Sequence, residues 1–330
     1  VSENNNFYDK KFEGNFKDKG KVIIMSEVLI VGSVAYDGLK TPYASTPRTL
    51  GGSCTYSSMA SSLYTKTHIV GVVGEDFRAQ DIKLLKSKKI GLDGLARAKG
   101  KTFFWKGYYK KEDMNVAITL KTDLNVFAQF DPKIPEKDRS IPFLFLANIH
   151  PGLQMNVIRQ MKKPKFTLLD TMNLWINIAR KDLLNVMKKV DLMVLNDQEV
   201  KLLTGMSHLK EAARAVLKLG PKRVIVKKGE HGAMLVGPEG TFLAPAMPLD
   251  RVVDPTGAGD TFAGGFIGYL ARRGTVNLEN LKQAIVVGSL TASFTVQELG
   301  VKGVAGLTLA KVRQRAKEFY RFASLPLIKL

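Results

Sequence analysis

Apolar residues in this chain gather into short unbroken runs separated by amphipathic stretches, the first run being Val28-Leu29-Ile30-Val31. Similar runs recur at 68–72, 143–147, 166–169, 192–195 and 223–226. Between them, residues 80–87, 154–161, 180–188 and 210–219 carry apolar positions at the three- and four-residue spacing of a helix with one buried face. Runs without polar alternation suit strands covered on both faces. Their exchange with helices predicts an α/β fold with a central, mostly parallel sheet flanked by helices.

One region breaks this exchange. Residues 101–130 hold strand-forming residues and turn signals but no helical pattern, as in Thr102-Phe103-Phe104-Trp105 and Asn115-Val116-Ala117-Ile118. An antiparallel excursion is expected there, either a lid or dimer surface or a plain edge hairpin. At the other extreme, residues 1–24 are polar, rich in Asn, Lys and Asp, and without periodicity. They are expected to form a flexible N-terminal extension, ahead of a domain spanning 25–330.

Composition adds a bias. Lys and Arg number 50 against 30 Asp and Glu, a formal net charge of +20, which favours anionic partners: nucleic acid, acidic lipid or phosphorylated metabolites. The single cysteine, Cys54, excludes an internal disulfide framework and a cysteine-cluster zinc site, in keeping with a reducing, cytoplasmic setting. No apolar run approaches the roughly 18 residues of a membrane span, so no membrane partner is expected. His68, His150, His208 and His231 are scattered and receive no chemistry. No Gly-x-x-x-x-Gly-Lys-Ser/Thr exists to form a P-loop.

The chemistry concentrates in Asp254-Pro255-Thr256-Gly257-Ala258-Gly259-Asp260-Thr261-Phe262-Ala263-Gly264-Gly265-Phe266. Gly257, Ala258 and Gly259 let the backbone bend tightly and expose successive N–H groups where a helical pattern begins. Free amides at a helix N-terminus, reinforced by its dipole, make a cradle for phosphate. An acid, Asp260, stands inside that cradle. It could serve only as a helix cap, or it could take a proton from a hydroxyl while the amides hold an arriving phosphoryl group. Capping accounts for Asp260 but not for the three small residues before it.

This string resembles the C-terminal motif of the ribokinase-like (PfkB-type) carbohydrate and nucleoside kinases, and the resemblance extends over roughly residues 27–320. Four more landmarks follow the family order. Gly32-Ser33-Val34-Ala35-Tyr36-Asp37 is similar to the first strand with its substrate-binding acid, and Gly51-Gly52-Ser53 to the paired glycines beneath the sugar. Asn196-Asp197-Gln198-Glu199 resembles the motif that organises Mg²⁺ and phosphates, and Lys227-Lys228-Gly229-Glu230-His231-Gly232 the loop that receives ATP.

By that resemblance, Asp260 is the base and Gly257, Ala258 and Gly259 form the anion hole. Asn196, Lys227, Gly229, Gly232 and Gly259 face ATP. Asp37, Gly51, Gly52, Ser53, Asp170 and Asn173, with Asp260, face the acceptor. Glu199 holds Mg²⁺ through water, and Asp254 and Thr256 lie by a monovalent cation, often K⁺. Each residue also has a plainer reading on its own: Asn196 and Glu199 as a capping box, Gly229 and Gly232 as hairpin punctuation, Lys227 as a solvated strand end. The functional readings stand jointly.

Departures limit the substrate. Tyr56 and Ala35 stand where relatives often have Asn, and Trp175 follows Asp170-x-x-Asn173 where an Arg is common. Ribokinase itself is therefore disfavoured. Tyr56, Phe103 and Trp105 offer flat surface for a nucleobase or sugar face, and Lys101 and Lys106 could meet a sugar phosphate. The expectation is a kinase using ATP and Mg²⁺ to phosphorylate a hydroxymethyl group of a small sugar, with a β lid from about 38–48 and 98–130 that also forms a homodimer contact. A nucleoside kinase is the alternative. A non-catalytic or nucleic-acid-associated relative is the more distant one, and no added basic arm or helix-turn-helix supports a nucleic-acid partner.

Overall fold

The structure, a computed structural model, describes residues 26–323; the extension expected at 1–24 lies outside them. The chain begins with β1 (Val28–Val31), β2 (Ala35–Lys40), β3 (Ser45–Gly51), α1 (Ser53–Ser61), β4 (Thr67–Val73), α2 (Ala79–Ser87) and β5 (Ile90–Arg97). Next come β6 (Phe104–Lys110), β7 (Asp113–Asp123), β8 (Phe143–Leu146), α3 (Pro151–Gln160), β9 (Phe166–Asp170), α4 (Asn173–Ile178) and α5 (Arg180–Met187). The remainder contains β10 (Leu192–Asn196), α6 (Asp197–Thr204), α7 (Leu209–Leu217), β11 (Arg223–Lys227), β12 (Ala233–Gly237), β13 (Gly240–Ala244), α8 (Ala258–Arg273) and α9 (Leu278–Thr295). Two last helices, α10 (Lys302–Ala305) and α11 (Leu309–Ala323), close it.

Nine strands form the main sheet in the order β13-β12-β11-β10-β9-β8-β1-β4-β5. Pairing is parallel from β11 to β5, and the β12–β13 hairpin adds an antiparallel edge. All six expected strands are in it. Successive residues of one strand feed opposite layers: Val28 and Ile30 pack with Tyr56, Phe262, Phe266 and Leu281, whereas Leu29 and Val31 pack with Val157, Leu183, Val200 and Val216. Double coverage is why the runs are apolar without alternation. The edge strand β5 escapes a periodicity reading because Gly91 and Gly94 interrupt its apolar residues, and its pairing with β4 defines it.

A separate four-stranded sheet has the order β3-β2-β6-β7, with β2 and β6 parallel and the outer pairs antiparallel. It draws on the two stretches expected to leave the main sheet, beginning earlier, at Ala35, and ending in a 3₁₀ turn at Asn125–Gln129. That turn seats Phe127 between Phe103 and Phe130, each stacked at 5.3 Å. The base of the sheet is tied to the main domain by Asp76, which accepts from Arg48 at 2.6 Å and from both the N–H and hydroxyl of Thr102 at 2.7 Å. Among the described residues no helix is long and apolar enough to cross a membrane.

Candidate active site

Three neighbouring parallel strands end on one side of the cleft, and their last residues are Asp170 of β9, Asn196 of β10 and Lys227 of β11. Asn196 and Lys227 are register partners. The carboxyl edge of an open α/β sheet is where such folds hold ligands. Asn196 caps α6 by accepting from Glu199 N at 2.7 Å, and Glu199 Oε2 accepts from Asn196 N at 2.7 Å, a complete capping box. The box fixes the buried Glu199 carboxylate beside the cleft, so its structural and functional readings share one geometry.

Lys227 Nζ stands 3.7 Å from Asp170 Oδ1, and their side chains are 18% and 5% exposed. The same ammonium lies 2.8 Å from where a Cβ on Gly259 would stand, which brings β11 against the first turn of α8. Burial pushes the Asp260 carboxyl up to about 7; Asp170 adds to the rise and Lys227 opposes it. Burial likewise raises Glu199 to about 7, opposed by Lys227 and helped by Asp170 and Asp260. Burial alone would lower Lys227, but Asp170, Glu199 and Asp260 outweigh it and hold the ammonium above its ordinary range. One cation thus serves three carboxylates.

The other side of the cleft is assembled from distant segments. Gly257 opens α8 in the left-handed region (φ 73°), and a Cβ there would collide with the ring of Tyr56. Gly52 is also left-handed (φ 93°), and a Cβ on it would lie 2.5 Å from the Ser33 carbonyl. A side chain on Gly51 would run into the carboxylate of Asp37, so the paired glycines clear space for that acid as well as for the turn into α1. Ser53 secures the turn: its N–H donates to Ser33 Oγ at 3.0 Å, and its own Oγ accepts from Ser33 N at 3.2 Å.

Asp37 is 5% exposed and is raised to about 8 by burial, with Asp254 and Asp260 adding to the rise. Asp254, fully buried, accepts from Thr256 N at 3.0 Å and Gly300 N at 2.7 Å, which fastens the loop before α8 to the loop after α9. The Thr256 hydroxyl donates to Tyr109 Oη at 3.0 Å. A β6 side chain of the small sheet therefore closes onto the segment that leads into α8. On the next strand, Asn115 Oδ1 lies 2.7 Å from where a Cβ on Gly229 would be, so the same hairpin also touches the turn after β11.

Most of the expected residues meet here, with exceptions. Asn173 is exposed, and its Oδ1 accepts from Leu174 N at 2.9 Å. Gly229 and Gly232 are not among the exceptions: they form the turn of the β11–β12 hairpin directly after Lys227, where a Cβ on Gly232 would strike the Ala244 carbonyl. Tyr56 cannot offer a ring face to a ligand, because it is 1% exposed and lies under Gly257. Phe103 is spent on stacking with Phe127. Lys106 extends beside Gly38 and Phe104, on the face of β6 opposite to Trp105, which pairs in register with Asp37. Tyr109 escaped the sequence reading; its only signal was an inward position on a strand, at the spacing Trp105, Gly107, Tyr109.

The pattern of pfkB family carbohydrate kinases matches residues 39–305. The chain belongs to that family. It is 27% identical over 255 residues to a cytidine kinase of Thermococcus kodakarensis, covering 75% of this chain and 90% of the relative. A deoxyribokinase of Salmonella typhi is 34% identical over 119 residues, a stretch covering only 37% of that relative. A nucleoside kinase of Burkholderia thailandensis, solved with inosine, shares the fold with a TM-score of 0.73 at 20% identity, over 89% of this chain and 99% of that one. This pfkB family member is accordingly a phosphotransferase acting on an alcohol group of a sugar or nucleoside, and the family implies use of ATP and Mg²⁺.

Proposed function

We propose that the protein transfers the γ-phosphoryl group of ATP to a hydroxymethyl group of a small sugar held between the two sheets. The observation that carries this reading is Asp260, a carboxylate with raised proton affinity in the first turn of α8, beside the left-handed Gly257 turn. A base with a pKa near the working pH is suited to accept the acceptor's hydroxyl proton as its oxygen attacks phosphorus. The amides of 257–260 stabilise charge developing on the transferred group, and Lys227 adds a fixed cation over the same turn.

Asp170, Glu199 and Asp260 outnumber Lys227, so this side of the cleft is suited to a cation arriving with the nucleotide. No cluster of three or more His, Cys, Asp or Glu able to hold a metal by itself exists among the described residues. Both facts fit Mg²⁺, which is usually held by phosphates and water with one or two carboxylates, here Glu199 through water. When bound it supplies charge neutralisation of the phosphates. Asn196, Gly229 and Gly232 border the nucleotide, and Asp37, Gly51, Gly52, Ser53 and Asp170 the acceptor. Asp254 already accepts two backbone N–H groups, so a K⁺ ion beside it and Thr256 would share the carboxylate with that clamp. The small sheet acts as the lid, excluding water, and its outer face is the proposed dimer contact.

A nucleoside acceptor is the second reading, favoured by the match along 90% of the cytidine kinase. A phosphorylation screen with ATP, Mg²⁺ and K⁺ against D-ribose, fructose, cytidine and adenosine tests both. Turnover of a pentose or hexose but no nucleoside supports the first, nucleoside turnover the second, and ATP hydrolysis without any acceptor product counts against both.

A further inference from the structure

Lys66, Lys88, Lys89 and Arg272 border one cavity of about 500 Å³, which Leu63 and the buried Tyr64 also line. Lys66 is paired with Glu27 at 2.9 Å, whereas Lys88, Lys89 and Arg272 form no ion pair among the described residues. Lys88 and Arg272 are half-buried. A cation near a helix C-terminus complements the helix dipole, which accounts for Lys88 directly after α2 and for Arg272 in the last turn of α8. It does not account for their meeting Lys89 at a single hollow, where like charges repel. Lys89 is moreover held in the left-handed region (φ 57°), a conformation that glycine ordinarily supplies after a helix. Strained residues of this kind cluster where ligands bind.

The cavity stands apart from the active site. Lys66 and Lys89 immediately precede β4 and β5, while Asp170, Asn196 and Lys227 end strands of the same parallel sheet, so the two sites lie at opposite edges. Asp260 is in the first turn of α8 and Arg272 in the last, and the 16 residues of that helix extend about 24 Å.

We propose that this cavity is a second ligand site, which takes a small phosphate-bearing metabolite and is separate from the sites of ATP and acceptor. Three unpaired cations suit a multiply charged anion, and the Arg272 guanidinium offers a fork for two phosphate oxygens. Small-molecule pockets typically enclose roughly 300–1,000 Å³, so the cavity has room for an organic body against Leu63 and Tyr64 besides the phosphate. Its concave form suits a small molecule better than the backbone of a nucleic acid, which is tracked by an extended basic surface.

Calorimetric titration of the full chain with tripolyphosphate and with fructose 1,6-bisphosphate tests this without reference to turnover. At least one probe should bind wild type in a step that weakens about tenfold or more in the double variant Lys88→Gln/Arg272→Gln, while KM for ATP stays near wild type. Lys86→Gln removes an exposed lysine from the same end of α2 but outside the cavity, and should leave that step unchanged. Lys89→Gly guards against a folding defect: it relieves the left-handed strain, so its Tm should equal or exceed that of wild type while the anion binds about threefold or more weakly. Failure of both probes to bind wild type overturns the proposal. So does binding that is unmoved in both cavity variants, or an equal loss in Lys86→Gln. A short oligothymidylate that binds more tightly than either probe, with the same dependence on Lys88 and Arg272, overturns it in favour of a nucleic-acid contact.

Discussion

The two sides of the cleft are built from different materials. On the nucleotide side Asn196 and Lys227 end adjacent strands, next to the strand that ends in Asp170 of the acceptor set, and a local capping box adds Glu199. Sheet pairing alone brings them together, and one ammonium stands among the acids. On the acceptor side Asp37 and Tyr109 come from two strands of the small sheet, Tyr56 from a helix and Thr256 from a loop, and Asp254 and Asp260 add to the rise that burial gives Asp37. A chain of net charge +20 therefore encloses an acidic hollow. The lesson is that net charge describes the long-range field a ligand meets in solution, while the contacts it finally makes are set by a few buried groups.

Asp260 lies where the two sides join, and removing its carboxylate should have the largest effect. Asp260→Asn is expected to lose about 10²–10⁴ in kcat with little change in ATP affinity, as steady-state kinetics with an ATP titration would reveal. The wild-type kcat/KM should fall as pH drops below about 7, because the raised carboxyl then holds its proton and cannot accept the acceptor's. Near-normal turnover in the variant, or a profile flat from pH 8 to 5, would remove Asp260 from the role of base.

Next is Lys227→Met, which strikes the nucleotide side first. The change strands Asp170, Glu199 and Asp260 without their shared cation, and breaking a buried pair of this kind typically costs about 3 kcal/mol. Denaturant unfolding should register most of that loss. KM for ATP should rise about tenfold or more, while acceptor affinity measured in the absence of nucleotide stays close to wild type. Equal losses for both ligands would erase the distinction between the two sides.

Gly51→Ala makes the converse cut. The added methyl runs into the Asp37 carboxylate, so acceptor KM should rise about tenfold while KM for ATP is retained, as paired titrations would reveal. The contrast also marks what the sequence could disclose. Unbroken apolar runs announced the main sheet, and the Asp254–Phe266 string announced the phosphate cradle, because both are local patterns. Tyr109 reaches Thr256 across 147 positions, and Tyr56 reaches Gly257 across a still longer span, contacts that no spacing rule encodes. Asn173, expected at the acceptor from its place after β9, stands exposed at the start of α4.

The smallest effect should be on stability, and its sign separates the two sides once more. Asp37 is held at about 8 in the folded protein, first by burial and then by Asp254 and Asp260, against about 3.9 for an unfolded aspartate. Between those values the folded state carries a proton that the unfolded state has released, so this group's contribution to stability declines as pH rises from about 4 to 8. Asp37→Asn removes the titration. The variant should be more stable than wild type at pH 8, by on the order of 1 kcal/mol, with the advantage fading towards pH 5. It should also bind acceptor more weakly, since the amide replaces one accepting carboxylate oxygen by a donating NH₂ group. Thermal unfolding at several pH values, with and without acceptor, measures both. On the nucleotide side the same kind of burial is opposed by Lys227, so Glu199→Gln should bring no comparable gain. A destabilised Asp37→Asn at pH 8 would mean that the hollow is already compensated, and the acidic side would lose its distinguishing feature.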